Sequence, residues 1–248
     1  MTPWWFAASV VFVIGAALGS FLNVVIYRLP RGESLVRPRS RCPHCGAAIA
    51  PRDNIPILSY ILLRGRCRAC RKPINPRYPL VEATSAVLLT ALWLREGPTI
   101  HFVAAALFVL MLVPIFFVDL EHRIVPNAIS YPGTLLGLLL AVPQGRVLDA
   151  LLTAAGAGAF FLLIALVSRG GMGGGDIKLA AMMGAFLGWP AIAFALLVAF
   201  TTGAVAGVYL IATGRRSRKD PIPFGPSLAA GAIIAWFAAA PVIAWYVG

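Results

Sequence analysis

The sequence predicts an all-α polytopic membrane protein with about eight transmembrane helices and one small cytoplasmic loop domain. Of the 248 residues, 60% are hydrophobic and only 12% are charged, a balance that water-soluble domains do not have. Apolar stretches of about 20 residues, enough to cross a hydrocarbon core of roughly 30 Å, recur along the chain. Basic residues are concentrated between alternate stretches, as membrane topology requires.

Eight apolar blocks are candidate spans. They are Trp4 to Tyr27, Tyr78 to Leu94, Thr99 to Val118, Ala128 to Val142, Val147 to Val167, Ile177 to Trp189, Pro190 to Thr213 and Phe224 to Val247. The first has no basic residue before it and no small-residue cleavage site after it, so we expect a retained span and not a signal peptide. The sixth would be only roughly 20 Å long. We therefore expect the glycine run Gly170 to Gly175 to dip into the membrane and carry Asp176 below its surface.

The net charge of +12 could indicate a nucleic-acid partner, but the positions of the basic residues favour a membrane protein. If the N-terminus is outside and eight spans alternate, 19 Lys and Arg residues lie inside, and only Arg95 and Arg146 lie outside. This asymmetry predicts that both termini are outside and that nucleic acid is not a partner.

Three regions follow from this topology: a first span (residues 1–27), a polar cytoplasmic loop (28–77) and a seven-span bundle (78–248). The loop contains seven prolines and all four cysteines, so we expect it to be compact, rich in turns and poor in regular structure. A unit this small needs a covalent or metal staple, because its hydrophobic core is too small to hold it.

Four cysteines form two C-x-x-C pairs, Cys42 with Cys45 and Cys67 with Cys70, separated by 21 residues. This spacing is typical of four-thiolate zinc ribbons and predicts a structural zinc, since four protein ligands leave no position open for a substrate. Disulfides or a redox pair are the alternatives, and a reducing cytoplasm disfavours both. His44 could replace one ligand, although a solvated histidine is the simpler interpretation.

Ionisable residues at membrane depth are costly, which singles out Asp119, Asp176 and Glu82 as functional candidates. Asp176 could instead be a helix N-cap, and Asp119 an interfacial residue paired with Arg123. Both aspartates are expected on one face of the membrane, where two carboxylates that share a proton could activate water and polarise a peptide carbonyl. The sequence does not determine which of the two aspartates is the acid and which is the base.

Other catalytic arrangements are not evident: the sequence has no H-E-x-x-H motif and no Ser-His-Asp set. Glu121 and His122 are expected to be interfacial or close to a substrate. Pro223 to Pro226 should break the chain before the last span, with a role at the mouth of the site as the functional alternative. A proton-coupled transporter and a non-catalytic assembly factor are the rival functions.

Long motifs along the chain resemble those of the bacterial type IV prepilin peptidases, the leader peptidase and N-methyltransferase family of type IV pili and type II secretion. The matching segments are Gly19 to Pro30, the two cysteine pairs around Asn54 to Tyr60, Arg77 to Glu82, Asp119 to Asn127, Gly171 to Leu179 and Pro221 to Pro226.

This resemblance implies an intramembrane aspartic protease of the bacterial inner membrane, with Asp119 and Asp176 as its catalytic pair. It implies prepilin or pseudopilin substrates, cut after a glycine at the cytoplasmic face, beside membrane lipid. Bifunctional members, which have the cysteine loop, also methylate the new N-terminus with S-adenosylmethionine. No nucleotide fingerprint marks a cofactor site here, and our candidates for it are Gly65, Asp53, Asn54 and Glu82.

Overall fold

The computed structural model describes residues 4–168, 172–215, 217 and 222–247, and within these ranges the chain is helical, without named strands. Residue 169, residues 170–171 of the predicted glycine segment, and residues 216 and 218–221 of the last basic loop lie outside the described part. The helices are α1 (Trp4–Arg28), α2 (Leu58–Leu62), α3 (Arg77–Glu96), α4 (Ile100–His122), α5 (Asn127–Ala141), α6 (Val147–Val167), α7 (Gly174–Leu187), α8 (Ala191–Ala212) and α9 (Gly225–Val247).

Each predicted span coincides with one helix, which confirms the class of a multi-pass membrane protein. Five helices are long and apolar enough to cross a membrane: α1, α4, α6, α8 and α9. Helices α5 and α7 have 15 and 14 residues, about 20 Å at 1.5 Å per residue, and are short for a full crossing. The number of eight spans therefore stays a prediction.

The chain forms two compact units, one up to Phe102 and one from Val103 onward. In the first unit, α1 packs directly on α3 through two glycines one helical turn apart. A Cβ atom at Gly15 would lie 2.8 Å from the Cα of Ala86, and one at Gly19 would lie 2.7 Å from the Cα of Glu82. Only glycine allows this approach, which is the small-xxx-small packing common between membrane helices.

The loop between α1 and α3 is built from turns, as predicted. Apart from α2, its regular structure consists of the short 3-10 turns Leu29–Arg31 and Pro51–Asp53 and two isolated bridges. The Arg28 guanidinium donates to the carbonyl oxygens of Ser34 and Pro38, at 2.8 and 2.7 Å. These bonds tie the start of the loop to the end of α1.

Helix α7 is the centre of the second unit. Seven of its residues, from Leu179 to Phe186, are buried, as expected for a helix covered by neighbours on most sides. Phe186 stacks on Phe108 of α4, with ring centroids 4.6 Å apart. At the C-terminal end, Arg146 donates to the carbonyl oxygen of Phe186 at 2.6 Å. A cation at a helix C-terminus satisfies exposed carbonyl groups and opposes the helix dipole, which stabilises this short helix.

Candidate active site

Asp119 lies in the last turn of α4 and is buried. The helix ends shortly afterwards because Arg123 adopts a left-handed conformation (φ +58°) and its backbone N–H donates to the carbonyl oxygen of Asp119. The Asp119 carboxylate is held from another element: its Oδ2 accepts the backbone N–H of Gly225, the first residue of α9, at 2.9 Å. The described residues contain no ion pair between Asp119 and Arg123, so that alternative is wrong.

Asp176 lies in the first turn of α7, at its third residue. The N-cap position belongs to Gly173, which has no side chain to cap the helix, so the N-cap interpretation of Asp176 is wrong. Gly175 allows the start of α7 to approach the segment after Asp119, since a Cβ atom there would lie 3.1 Å from the side chain of Val125. Helix α7 therefore begins beside the residues that follow α4.

The two carboxylates are brought together within electrostatic range of each other. Nearby, the Lys178 ammonium donates to the side-chain oxygen of Asn127 and lies 5.6 Å from the ring centroid of Tyr131, which ties α7 to the start of α5. His122 is half-buried, and its Nε2 has no hydrogen-bond partner in the described part of the chain. Two close carboxylates beside a polar helix end can share one proton and carry out acid and base catalysis.

Sequence reasoning missed the contact between Gly225 and Asp119, which are 106 positions apart. The available signal was the Pro-Phe-Gly-Pro motif before the last span, whose glycine is the residue in contact. Glu82, in contrast, belongs to the first unit and has partners there.

The four cysteines form one cluster in the loop. Their Sγ atoms all lie within 4.8 Å of one another, and those of Cys42 and Cys70 are 3.9 Å apart. Tetrahedral coordination with metal to sulfur bonds of about 2.3 Å requires neighbouring sulfurs roughly 3.8 Å apart. All four cysteines are free, which agrees with a metal site and not with disulfides.

Both cysteine turns have the same backbone hydrogen bonds. Cys42 N–H donates to the carbonyl of Ala47, and Cys67 N–H donates to that of Lys72; each cysteine carbonyl then accepts an N–H four residues later. The backbone N–H groups of Cys70 and Ala69 lower the pKa of the Cys67 thiol to about 7. A backbone hydrogen bond from Ala47 also favours the Cys45 thiolate, but desolvation and the neighbouring thiols outweigh it and raise its pKa to about 11. Four crowded sulfurs cannot all ionise without a cation, so the cluster could hold a metal ion.

A cavity of about 760 Å³ lies in the first unit, between α1, the start of α3 and the loop. Three of the four predicted cofactor residues line it: Asp53, Asn54 and Glu82. Asp53 is paired with Arg68, whose Nη2 lies 2.6 Å from the Oδ1 of Asp53, and this guanidinium lowers the pKa of Asp53. The fourth residue, Gly65 (φ +66°), does not line the cavity. It lies behind the wall, where a Cβ would be 3.0 Å from the Tyr60 hydroxyl.

Glu82 is buried and supports an unusual turn in the cavity wall. Its Oε2 accepts the backbone N–H of Ile57 at 2.7 Å, and the Ser20 side chain lies nearby. Ile57 has φ +61° and ψ −52°, and Leu58 N–H donates to the carbonyl of Pro56. This is a γ-turn with positive φ, which is strained, above all for a β-branched residue. Strained backbone supported by a buried carboxylate is typical of functional sites.

Comparison with known proteins covers most of the chain. Residues 13–96 match the bacterial peptidase A24 N-terminal domain, and residues 106–208 match the type IV leader peptidase family. Relatives named prepilin leader peptidase/N-methyltransferase include one from Aeromonas hydrophila, 38% identical over 98% of this chain and 94% of the relative. The protein of this name from Bacillus subtilis is 34% identical over 96% of this chain and 97% of its own. That from Myxococcus xanthus is 47% identical over 84% of this chain, a match that spans 64% of the relative. No solved structure matches significantly.

Proposed function

Because the chain belongs to the type IV leader peptidase family, we propose that it cleaves the leader peptide of prepilins or pseudopilins and methylates the new N-terminus. The observation that carries the first activity is that the Asp119 and Asp176 carboxylates, at the ends of two helices, lie within electrostatic range of each other. No relative reported above is a transporter, and no contact in the described residues favours that alternative.

Cleavage after a glycine needs a water molecule, a base and an acid. One carboxylate takes a proton from the water, whose oxygen attacks the carbonyl carbon of the scissile peptide, while the protonated carboxyl group donates to the carbonyl oxygen. The C–N bond then breaks, and the leaving nitrogen takes a proton from the pair. Burial of Asp119 among apolar residues strengthens these interactions, because it lowers the local dielectric.

The active site is proposed to face the cytoplasm, with both chain termini on the opposite side. Support comes from the 19 to 2 distribution of basic residues. Cysteine introduced between Arg215 and Lys219 should react with a membrane-impermeant maleimide only after the cells are opened. Labelling of this loop in intact cells would show that the protein has the opposite orientation.

Methylation is assigned to the cavity of the first unit. Its volume of about 760 Å³ lies in the range of small-molecule sites, roughly 300–1,000 Å³, and its wall has polar groups among apolar side chains. S-adenosylmethionine would supply an activated methyl group there. Glu82 and Asn54 would hold its polar groups, and Asp53 would do so while it stays paired with Arg68. Gly65 is proposed to shape the cavity indirectly, because it leaves room for Tyr60, which lines the wall.

The metal at the four cysteines is proposed to be zinc with a structural role. Four thiolate ligands suit zinc and leave no coordination position for a substrate. Two of these cysteines, Cys42 and Cys67, also line the cavity. Loss of the metal should therefore disturb methylation before cleavage.

Mass spectrometry of a pseudopilin co-expressed with this protein tests both activities. The expected product is cut after its leader glycine and has one methyl group in place of a hydrogen on its new N-terminus. The Asp119→Asn variant should leave the precursor intact. A precursor that is uncut with the wild-type protein present would reject the proposed function.

A further inference from the structure

Gly225 is the residue of α9 in contact with Asp119, and no larger residue fits its place. A Cβ atom at this position would lie 2.6 Å from Oδ2 and 2.8 Å from Cγ of Asp119, well inside ordinary contact distances of about 3.5–4.0 Å. The glycine therefore lets a backbone N–H approach the carboxylate directly, where a side chain would keep it away.

An aromatic cluster fixes the position of this N–H. Phe224 precedes Gly225 and packs against Phe200 and Phe161, with ring centroids 5.3 and 6.3 Å away. Gly203 of α8 makes room for the Phe224 ring, since a Cβ atom there would lie 2.8 Å from it. The start of α9 is thus anchored independently of the carboxylate that it contacts.

The two aspartates differ in their hydrogen-bond donors. Asp119 accepts the Gly225 N–H with normal geometry, whereas the Asp176 carboxylate is close only to the backbone N–H of Gly173, without a bond of normal geometry in the described residues. Asp176 lies in the first turn of α7, whose dipole favours a negative charge there, whereas Asp119 lies between the last turn of α4 and the first residue of α9, whose dipoles act on it in opposite directions. A direct hydrogen bond to a charged group outweighs such a dipole.

Among the described residues, few other charged groups lie near the pair. Helix α9 contains no acidic or basic residue, and Lys178 of α7 is held by Asn127. Glu121 and Arg123 are exposed, and His122 is half-buried. Because like charges at close range are not both ionised readily, the Gly225 hydrogen bond determines which of the two aspartates carries the charge.

We infer that Gly225 is the positioning residue of the pair: its N–H holds Asp119 as the ionised member, so Asp119 is the base that activates water and Asp176 is the acid. This inference rests on the proposed peptidase function. It also assigns the two roles that the sequence leaves open.

Two affinity reagents test the assignment without a substrate. An ionised carboxylate opens an epoxide: one C–O bond of the ring breaks, an ester bond forms, and the ring oxygen takes the proton of the neighbouring acid. A diazoacetyl compound instead takes the proton of a neutral carboxyl group, loses N₂ and is captured as an ester by that group. Peptide mapping of the labelled wild-type protein should find the epoxide on Asp119 and the diazoacetyl group on Asp176. The reverse pattern, or equal labelling of both, would overturn the inference.

The Gly225→Ala variant tests the cause of this asymmetry, with Gly156→Ala as control, because a Cβ atom at Gly156 meets nothing within 4 Å. Gly225→Ala should lose the label selectivity and lower kcat for cleavage roughly 10- to 100-fold, the value of one hydrogen bond to a charged group, with KM unchanged. Unchanged selectivity would reduce Gly225 to a structural residue and refute its positioning role. If Gly225→Ala does not fold, Gly203→Ala, which displaces Phe224, should give the same loss of selectivity, and retained selectivity there would count equally against the role.

The outcomes separate this inference from the proposed function. A protein that labels as expected but leaves prepilins uncut would refute the function and retain the assignment. A protein that cuts prepilins but has the epoxide on Asp176 and the diazoacetyl group on Asp119 would retain the function and refute the assignment.

Discussion

Substitution of Gly19 by alanine should uncouple methylation from cleavage. The added Cβ would lie 2.7 Å from the Cα of Glu82 and 3.0 Å from the carbonyl oxygen of Val81. Ordinary contacts are about 3.5–4.0 Å, so α1 and α3 must separate by roughly 1 Å. The 3.0 Å hydrogen bond from the Asn23 amide to the carbonyl of Tyr78 then stretches, and Ser20 moves away from Glu82.

The magnitude follows from these contacts. Overpacking of a tight interface costs about 1–3 kcal/mol, which the folded protein should tolerate. Displacement of Glu82 should weaken its hydrogen bond with the Ile57 N–H, which costs about 1.5–3 kcal/mol, or roughly a 10- to 100-fold loss in a reaction that needs this cavity wall. Cleavage should change less than about twofold, because Asp119 and Asp176 belong to the second unit.

The assay is mass spectrometry of a pseudopilin co-expressed with each variant, read as the ratio of methylated to unmethylated cleaved product. Gly156→Ala serves as the matched control, since it adds the same methyl group in open space. An unchanged ratio in Gly19→Ala would show that the α1 and α3 interface does not shape the methylation site. A parallel loss of cleavage would show instead that the substitution unfolds the protein.

Three further results are expected. Asp119→Asn, Asp176→Asn and the double variant should each lose cleavage by a similar factor of about a thousand or more, as groups that act as one unit do; additive losses in a peptide cleavage assay would contradict a shared mechanism. Cys67→Ser should lower the metal content, measured by elemental analysis, from about one zinc per chain to near zero. An unchanged content would show that the metal is bound at another site. Arg146→Ala should lower the free energy of unfolding in detergent by about 1–3 kcal/mol, because the carbonyl of Phe186 loses its donor. Unchanged stability would show that Arg146 does not stabilise the C-terminal end of α7.

Local patterns in the sequence account for the helices and for the cysteine cluster. The lengths of the hydrophobic blocks predict the helices, and the spacing of the C-x-x-C pairs predicts the cysteine cluster. Both predictions agree with the structure. The sequence predicts the start of α7 at Ile177, three residues late, because glycines have low helix propensity. Tertiary packing of Gly175 on Val125 overrides this propensity. Helix lengths of α5 and α7 leave the count of spans undecided, since hydrophobicity alone does not separate a crossing from a short buried helix.

Contacts between distant segments could not be predicted in the same way. The bond between Gly225 and Asp119 joins residues far apart in sequence, and no periodicity reports it. The γ-turn at Ile57 is contrary to local preference, because β-branched residues avoid positive φ. The turn exists because the Glu82 carboxylate of α3 accepts the Ile57 N–H. It could be predicted only from Ile57 and Glu82 together, and from neither residue alone.

Both proposed sites depend on a glycine that brings backbone close to an acidic residue. Gly225 presents its N–H to the Asp119 carboxylate, and Gly19 lets α1 contact α3 at the Cα of Glu82. A backbone group held in a helix loses less conformational freedom in binding than a flexible polar side chain, since it has no rotamers to fix. In a buried site of low dielectric such a donor is also more effective. Asp119 is thus positioned at little entropic cost. Neither glycine position has space for an added methyl group, so these two glycines are where small substitutions should do most harm.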